Sequence, residues 1–365
     1  MDSSTNIFET PLAEEHRAAG AQLAEFASCL LPLRFSDERE EYTAARESVA
    51  LFDTNWHAIF SLSGRDRVRY LHAVTSNNIK ELGETHGVPA LLLNPQGHIL
   101  AELEVYALRE KLLVLSHASV RDRTFATLKK YILGSQVQLD DLTGQLGSIA
   151  LEGPRAANII AEATGLALTG FSELATAAVE IDAVPVSLVR RSHFGGVGAE
   201  IIAPREHLGQ LWAHLRARVH AQHGLPMGMA ALNALRLEAA IPWFPLDFND
   251  TMIPHEAALE NTHISFSKGC YTGQEIVERV RSRGHVNRKR VSLKFSAAEP
   301  PPSGTKLRAG GADVGFVTSS AFSPGTNAAI GMGYLRREHN TVGSIVEFDG
   351  GTAEVTGGKT TAAGD

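Results

Sequence analysis

The last quarter of the chain has a texture that differs from everything before it. After Arg290, short apolar stretches such as VSLKF, VGFVTSSAF and SIVEF alternate with the turn-forming sequences PPPSG, AGGADVG, SPGTN and DGG. Glycine and proline at such short intervals interrupt helices but suit the tight turns between short strands. The pattern predicts a small β-barrel or β-sandwich, with a domain boundary near RSRGHVNRKR at residues 281–290.

The chain is long enough for more than one core. Its 365 residues exceed what one ordinary hydrophobic core accommodates and suffice for two or three packed units. A composition of 44% hydrophobic and 21% charged residues is typical of a soluble globular protein. The net charge of −7 gives no overall positive field for a polyanion, so we expect a small molecule or a protein, and not nucleic acid, as the partner.

Cysteine usage and the N-terminal residues indicate the compartment. Cys29 and Cys270 are too few for a disulfide framework or a zinc site, and they fit a reducing environment. Residues 1–30 contain four glutamates, which argues against a secretory signal or a transit peptide. Because no apolar run reaches membrane-spanning length, we expect a cytoplasmic protein that contacts no membrane.

Upstream of the predicted barrel, helical and extended patterns alternate. Residues 12–30 have helical spacing with Cys29 on an apolar side, which indicates a thiol in the core. Hydrophobic segments on both sides of Asn94-Pro95-Gln96-Gly97 predict a β-hairpin. Ser63-Gly64-Arg65 and Glu152-Gly153-Pro154 each follow a strand pattern and precede a helical one, with the proline suited to the first turn of its helix. We therefore expect a mixed α+β protein with antiparallel pairing and a duplicated unit.

Residues 265–280, SFSKGCYTGQEIVERV, place the second cysteine just before a predicted helix. Thr272 and Glu275 have the spacing of a capping box, in which each side chain satisfies an orphan backbone amide at the helix start. Cys270 has two interpretations. Composition alone favours an inert, buried cysteine, whereas the nearby helix dipole and Lys268 favour a reactive thiolate.

The same segment resembles a known family. KGCYTGQE at residues 268–275, followed by RSRGHVNR, resembles the signature of the YgfZ family of folate-binding iron–sulfur cluster proteins, including its mitochondrial branch. That family is related to the T-protein, the aminomethyltransferase of the glycine cleavage system, and a weaker similarity to the T-protein extends over residues 45–350. The resemblance implies a functional thiol at Cys270, tetrahydrofolate or a one-carbon derivative as cofactor, and iron–sulfur client or assembly proteins as partners.

The resemblance also implies ligand-binding positions. RRSHFGGVGAEI resembles the T-protein turn in which a glutamate binds the pterin. Glu200 is then that carboxylate, and Phe194 replaces a tyrosine while keeping a face for stacking. Arg236 corresponds to an arginine near the folate, although a buried ion-pair network explains that arginine equally well. His117 stands where the T-protein has an asparagine that contacts folate.

One position departs from the enzyme. Where T-proteins carry a pair of aspartates, GHILAELEV has Ala101 and Glu102. Glutamate is one methylene longer than aspartate, and a catalytic carboxylate tolerates little displacement. We therefore expect negligible aminomethyl transfer, with Glu102 as the residue that acts if transfer does occur.

The resemblance implies an α+β fold of the T-protein type, in which two interlocked α+β domains and a C-terminal β-barrel surround a central folate cavity. The expected parts are an N-terminal helical segment at 1–45, a discontinuous folate-binding domain at 46–145 and 227–284, a second α+β domain at 146–226, and the barrel at 285–365. Three functions stay open: tetrahydrofolate-dependent support of iron–sulfur cluster assembly or repair, aminomethyl or other one-carbon transfer, and folate sensing without chemistry.

Overall fold

The computed structural model describes residues 7–132 and 134–357, so residues 1–6 of the predicted N-terminal segment and 358–365 of the predicted barrel lie outside it. Within that part of the chain the α-helices, α1 to α8 in chain order, are Ala13–Ala18, Glu38–Glu47, Arg67–Val74, Arg121–Lys130, Ala156–Thr164, Leu208–Ala221, Met229–Glu238 and Gln274–Arg283. The strands, β1 to β20, are Phe8–Glu9, Gln22–Phe26, Cys29–Arg34, Ala50–Asp53, His57–Ser63, Gly87–Leu93, Ile99–Ala107, Leu112–His117, Gln138–Asp141, Leu146–Glu152, Thr176–Ile181, Val184–Arg190, Gly198–Pro204, Leu225–Pro226, Arg288–Phe295, Lys306–Ala309, Ala312–Ser323, Ala328–Arg336, Ile345–Phe348 and Gly351–Thr356. None of these helices is long and apolar enough to cross a membrane.

A five-stranded antiparallel sheet, in the order β6-β7-β8-β5-β9, forms the first half of the body. β6 and β7 pair across the turn at 94–97, where the Gly97 amide donates to the Asn94 carbonyl at 2.9 Å. The predicted hairpin is confirmed. One face of the sheet buries a core that includes Phe60, Leu103 and Leu128, and apolar burial of this kind is the main stabilising term of such a layer.

A six-stranded sheet in the order β11-β12-β13-β10-β4-β14 forms the second half. Its strand β4 comes from the start of the chain yet pairs with β10 in the interior of the sheet. The two halves are therefore interlocked, and the predicted α+β arrangement is confirmed. The domain boundaries predicted at 46–145, 146–226 and 227–284 stay a prediction. The strand β4 belongs to the predicted range 46–145 but pairs within the six-stranded sheet.

The connections from β5 to α3 and from β10 to α5 each contain a glycine with the same backbone feature. Gly64 and Gly153 both have positive φ, at +94° and +137°. A Cβ at either site would lie 2.3 Å from the Gln136 carbonyl oxygen or 2.6 Å from that of Ser48, respectively. Only glycine readily adopts a positive φ and also lacks the Cβ that would clash at these two sites. Pro154 lies before α5, which begins at Ala156, and not in the first turn of the helix as its sequence position suggests.

The C-terminal part is a closed barrel in the order β15-β18-β17-β16-β19-β20. β15 pairs with both β18 and β20, which closes the sheet on itself and leaves no free edge. Between the two predicted alternatives, the structure is therefore a barrel and not a sandwich. Its interior is apolar, with Leu293, Phe295, Leu307 and Val317 buried.

The predicted helix at residues 12–30 is wrong. The helix α1 ends at Ala18, and Gly20 follows with a φ of +79°. β2 and β3 then pair antiparallel through a turn at Ala27 and Ser28, both of which have positive φ. In this segment the apolar residues fit the two-residue repeat of a strand as well as the 3.6-residue repeat of a helix. Gly20 ends the helix. Cys29 is buried as predicted but lies on a strand, and burial raises its pKa to about 12.

Candidate functional site

A cavity of about 70 Å³ lies where the start of β5, the middle of β7 and the end of β8 meet the loop after β12 and the segment after α7. It combines aromatic faces with several ionisable side chains. Its lining consists of Phe26, Trp56, His57, Glu102, Glu104, Leu115, Ser116, His117, Arg191, His193, Met229, Ile241, Pro242, Trp243 and Phe244.

Two carboxylates enter the cavity from β7. Glu102 and Glu104 are two residues apart, and alternation along a strand places them on the same face. Glu104 forms an ion pair with Arg191 and accepts a hydrogen bond from the Tyr106 hydroxyl at 2.5 Å. Although burial opposes the charge of Arg191, the neighbouring Glu104 leads the interactions that raise its pKa. Glu104 is therefore neutralised by a permanent cation.

Glu102 has a weaker partner. Its Oε1 lies 3.0 Å from Nε2 of His263. In the part of the chain that the structure describes, no protein group donates to its Oε2. The carboxylate side chain is 27% exposed, compared with 10% for the histidine. Glu102 therefore lines the cavity and keeps one oxygen that the described residues leave without a donor, and its role in acting on a ligand stays a prediction.

Glu200 is fully buried on β13 and does not line the cavity. Its two oxygens lie 3.3 Å from Nε2 of His57 and 3.5 Å from Nε2 of His193, and both of these histidines do line the cavity. Burial opposes the charge of Glu200, but the histidines outweigh it and hold its pKa well below the ordinary value. The predicted pterin-binding carboxylate is thus separated from the cavity by two imidazoles.

His117 reaches the cavity at the end of β8, opposite His57 in the sheet register. Its Nδ1 accepts from the Ser119 amide at 3.2 Å. Burial, together with the charge of His57, lowers its pKa to about 3. His117 is therefore a neutral imidazole in the cavity wall, and the predicted position of this residue beside the ligand site stays consistent with the geometry.

The aromatic side of the cavity is built from three chain segments. Phe26 of β2 meets Trp243 edge-on at 5.4 Å between ring centroids, and Trp56 lies 6.0 Å from Trp243. Arg236 stacks behind Trp243, with its guanidinium 4.8 Å from the ring centroid, and forms a buried ion pair with Asp247. Arg236 therefore supports the cavity from behind and does not line it.

Phe194 does not supply the stacking face that its sequence position suggested. It is buried in the core, 6.4 Å from the ring of Phe52. The residue of this turn that lines the cavity is His193, whose ring meets Phe52 edge-on at 5.2 Å. The turn itself is held by Glu152, whose carboxylate accepts from the backbone amides of residues 193, 194 and 196.

Cys270 is exposed and lies outside the cavity lining. The buried ammonium group of Lys268 donates to the carbonyls of His72 and Thr75 at the C-terminal end of α3, and burial lowers its pKa to about 8. Lys268 therefore caps another helix, and the prediction that it acts on the thiol is not supported by its hydrogen bonds.

The predicted capping box is also wrong. α8 begins at Gln274, and its N-cap is Gly273, with a φ of +83° and no side-chain cap. Glu275 instead forms an ion pair with Arg279 one turn later. A Cβ on Gly273 would lie 2.7 Å from the carbonyl oxygen of Asn94. Tertiary packing against the β6–β7 turn thus fixes the helix start in place of the Thr272 hydroxyl.

Five residues of the site were not predicted from the sequence: His57, Glu104, Arg191, His193 and His263. Glu104 had a local signal, because it follows Glu102 at strand spacing and so lies on the same face of β7. Arg191 and His193 lie in the irregular segment after β12, and His57 and His263 come from distant segments, so spacing contains no signal for these four residues.

A larger open groove of about 640 Å³ runs along α2 beside residues 222–225. Its charged lining includes Asp37, Arg39, Glu47 and Arg155. Within residues 7–132 and 134–357, no Phe, Tyr or Trp lines it, and no group of three or more His, Cys, Asp or Glu is placed to hold a metal ion. The smaller cavity therefore has the features of a ligand site: apolar walls with a few convergent polar groups.

An interlocked α+β body with a closed C-terminal barrel defines the class of fold, and its aromatic, charged cavity has the features of a small-molecule site. Residues 12–268 match the GCVT N-terminal domain, and residues 288–359 match the glycine cleavage T-protein C-terminal barrel domain. The chain belongs to the glycine cleavage T-protein family.

Similar proteins extend along almost the whole chain. An aminomethyltransferase of Streptomyces coelicolor is 30% identical, with 94% of this chain and 93% of the relative covered. One of Desulfitobacterium hafniense is 28% identical, with 94% of both covered. The crystal structure of the glycine cleavage system aminomethyltransferase T from Bartonella henselae superposes with a TM-score of 0.88 at 25% identity, over 96% of this chain and 97% of that one.

Proposed function

We propose that the protein binds a reduced folate in the cavity and acts as a tetrahydrofolate-dependent aminomethyltransferase. The observation that carries the proposal is Glu102, which lines the aromatic cavity and has one oxygen that the described residues leave without a donor. The relatives named aminomethyltransferase add support, because they match over 93% of their length or more. This proposal replaces the expectation of negligible transfer.

The chemistry of the lining fits a pterin. Trp56, Trp243 and Phe26 offer faces and edges for a flat heterocycle, while His57 and His193 offer ring nitrogens to its hydrogen-bonding edge. The cavity volume of about 70 Å³ is smaller than the ~150 Å³ that accommodates a benzene ring. Binding therefore requires the aromatic side chains to move apart.

Each group in the site has a separate role. Tetrahydrofolate, when bound, supplies the nitrogens that carry the one-carbon unit. Glu102 accepts or holds a proton at the reacting nitrogen. Glu104, already paired with Arg191, orients the ligand without exchanging protons. Trp56 and Trp243 exclude water, which strengthens the electrostatic interactions within the site.

Glu102→Gln tests the proposal, because it keeps the shape of the side chain and removes the proton acceptor. We expect the turnover of an aminomethyl-loaded lipoyl carrier protein with tetrahydrofolate to fall about 10²- to 10⁴-fold. The affinity for tetrahydrofolate, measured by calorimetry, should stay within about threefold, since an altered rate with unaltered binding marks an interaction specific to the transition state. Glu180→Gln, at an exposed position of β11, is the matched control. Wild-type protein that binds tetrahydrofolate but transfers nothing would contradict the proposal and favour a sensor.

A second candidate function rests on Cys270, since this thiol is exposed whereas Cys29 is buried. We infer an alternative in which the protein uses tetrahydrofolate to support iron–sulfur cluster assembly or repair, with Cys270 meeting a client or assembly protein as in the YgfZ family. Expression of Cys270→Ser in a cell that lacks its own copy of the gene separates the two functions. Loss of iron–sulfur enzyme activity with intact aminomethyl transfer would favour this alternative. Full restoration would remove it.

A further inference from the structure

We infer that His263 is a positioning residue for Glu102, and that the segment around Lys268 serves the cavity by holding His263 in place. The inference rests on the proposed function, in which Glu102 acts on the bound ligand. The KGCY sequence at residues 268–271 then has a role that does not depend on the reactivity of the Cys270 thiol.

The contact itself places a proton on one ring nitrogen. A carboxylate only accepts hydrogen bonds, so Nε2 of His263 carries the proton that it donates to Oε1 of Glu102 at 3.0 Å. Nδ1 lies 2.7 Å from the Thr262 hydroxyl, which also lies 3.4 Å from the Leu259 carbonyl. Both ring nitrogens of His263 therefore have polar partners that fix the orientation of the ring. The bond to Oε1 leaves Oε2 as the oxygen of Glu102 that the described residues do not engage.

The backbone of His263 is fixed to the strand pair that carries Glu102. The Ser76 hydroxyl donates to the His263 carbonyl at 2.6 Å and accepts from the Leu91 amide at 2.8 Å. Leu91 is the residue opposite Glu102 in the β6–β7 register. These contacts form a closed ring of neighbours, and each residue in it restricts the movement of the next: Glu102, Leu91, Ser76 and His263.

The chain on both sides of His263 is held by the turn that follows α3. The Asn77 side chain donates to the Thr262 carbonyl at 3.0 Å, and the Ser265 amide donates to the Ser76 carbonyl at 3.1 Å. Five residues after His263, the buried ammonium of Lys268 donates to the carbonyls of His72 and Thr75. The lysine of the KGCY sequence thus anchors the loop to the same turn that positions the histidine.

The second carboxylate of β7, Glu104, is held in a different way from Glu102. It leaves the same face of β7 but is held by Arg191 and Tyr106. Glu102 forms no ion pair with an arginine or lysine within the described residues, although its charge acts on Arg191 at longer range. His263 is therefore the group that restricts its flexible side chain at hydrogen-bond distance.

The test compares His263→Ala with His263→Gln, since the glutamine amide places a donor close to the position of Nε2. We expect His263→Ala to lower kcat for aminomethyl transfer about 10- to 100-fold, the cost of a misplaced catalytic group, with KM for tetrahydrofolate changed less than about threefold. His263→Gln should recover most of the rate.

Lys268→Met should also lower kcat, because it releases the loop that holds His263. The matched control is His255→Ala, because His255 is a partly buried histidine of the same segment whose ring nitrogens have no hydrogen-bond partner among the residues that the structure describes.

A measurement without turnover keeps the inference separate from the proposed function. In ¹⁵N-labelled protein, the Nε2 resonance of His263 should shift when Glu102→Gln removes the carboxylate, and that of His255 should not. An unchanged Nε2 resonance would overturn the contact, and an unchanged kcat in a folded His263→Ala protein would overturn the positioning role. If wild-type protein transfers nothing, the proposed function fails, and the Nε2 resonance still decides whether His263 holds Glu102. Circular dichroism and thermal unfolding of each variant show whether it is folded.

Discussion

Glu200 shows how a buried charge is kept behind the histidines of a cavity wall. Its carboxylate lies between the Nε2 atoms of His57 and His193. Burial disfavours a charged His57, but the attraction of Glu200 outweighs it, and the pKa of His57 is raised. The histidines therefore turn Nε2 toward Glu200, and their Nδ1 atoms are the nitrogens left to face other groups. A ligand in the cavity meets imidazoles there and not the carboxylate itself.

Glu200→Gln should lower the pKa of His57, because the burial that opposes the imidazolium stays and the carboxylate is lost. The variant should lose about 1–3 kcal/mol of unfolding free energy near pH 6, the cost of buried polar groups left unsatisfied. The check is an NMR titration of the His57 ring protons together with urea unfolding at several pH values.

The pH dependence has a defined sign. A raised pKa for His57 gives stability that is fully present below its unfolded value of about 6.5 and is lost as pH rises through the folded pKa. The lowered pKa of Glu200 gives stability that is present above about 4.5 and is lost as pH falls through the folded value. The difference between wild type and variant should therefore be largest between these limits. Glu206→Gln, beside the exposed His207 at 3.8 Å, is the control, and an equal loss in both variants would contradict the argument.

At the scale of elements, the start of α8 depends on tertiary contact. Thr272 and Glu275 have the residue types and spacing of a cap but make no cap. The helix begins instead where Gly273 packs against the β6–β7 turn, so closely that an added Cβ would meet Asn94 and Gly97. A hydroxyl cap contributes about 1 kcal/mol, which packing at a glycine with positive φ readily overrides.

Gly273→Ala should destabilise the protein by at least about 1–2 kcal/mol, since a side chain at positive φ alone costs that much and the added Cβ would lie 2.7 Å from the Asn94 carbonyl oxygen. Gly269→Ala is the matched control, because no atom of the described chain beyond its two sequence neighbours lies within 4 Å of its added Cβ. Chemical denaturation of both variants gives the comparison. If Gly269→Ala is the more damaging change, the helix start is fixed by something other than this contact.

At the scale of the whole molecule, Asp247 joins the barrel to the body. It forms a buried ion pair with Arg236 and accepts from the hydroxyls of Thr318 and Ser319 on β17, at 2.6 and 2.5 Å. The Tyr334 hydroxyl of β18 donates to its backbone carbonyl at 2.9 Å. Burial opposes the charge of Asp247, but Arg236 and the hydroxyls lower its pKa. The barrel is thereby bonded to the segment that carries Trp243 into the cavity.

Asp247→Asn should cost about 3–5 kcal/mol of unfolding free energy, because it leaves the buried guanidinium of Arg236 without its counter-charge. Asp250→Asn, which removes a partly exposed ion pair with Arg123 at 2.6 Å, should cost at most about 1 kcal/mol. Urea unfolding near pH 7 measures both. Equal midpoints for wild type and Asp247→Asn would show that the ion pair does not hold the barrel.

Much of the fold was predictable because its signals are local. The turn at 94–97, the glycines at 64 and 153, and the glycine- and proline-rich segments after Arg290 each specify a backbone conformation through neighbouring residues. The helix predicted at 12–30 failed because a short apolar pattern fits two periods. The site was predicted less well. Glu102 and His117 line the cavity, whereas Glu200 and Arg236 lie one residue behind it and Phe194 lies in the core.

The sequence by itself determined many of the strands and helices, the barrel and the presence of chemistry-bearing residues near β7 and β13, because side-chain periodicity and turn chemistry act over a few residues. Only the tertiary structure decided which of those residues meet. The contact between Glu102 and His263 spans 161 positions in the chain, and that between Lys268 and Thr75 spans 193. Such contacts depend on strand register and loop packing, and these are set by the burial of surfaces that lie far apart in the sequence.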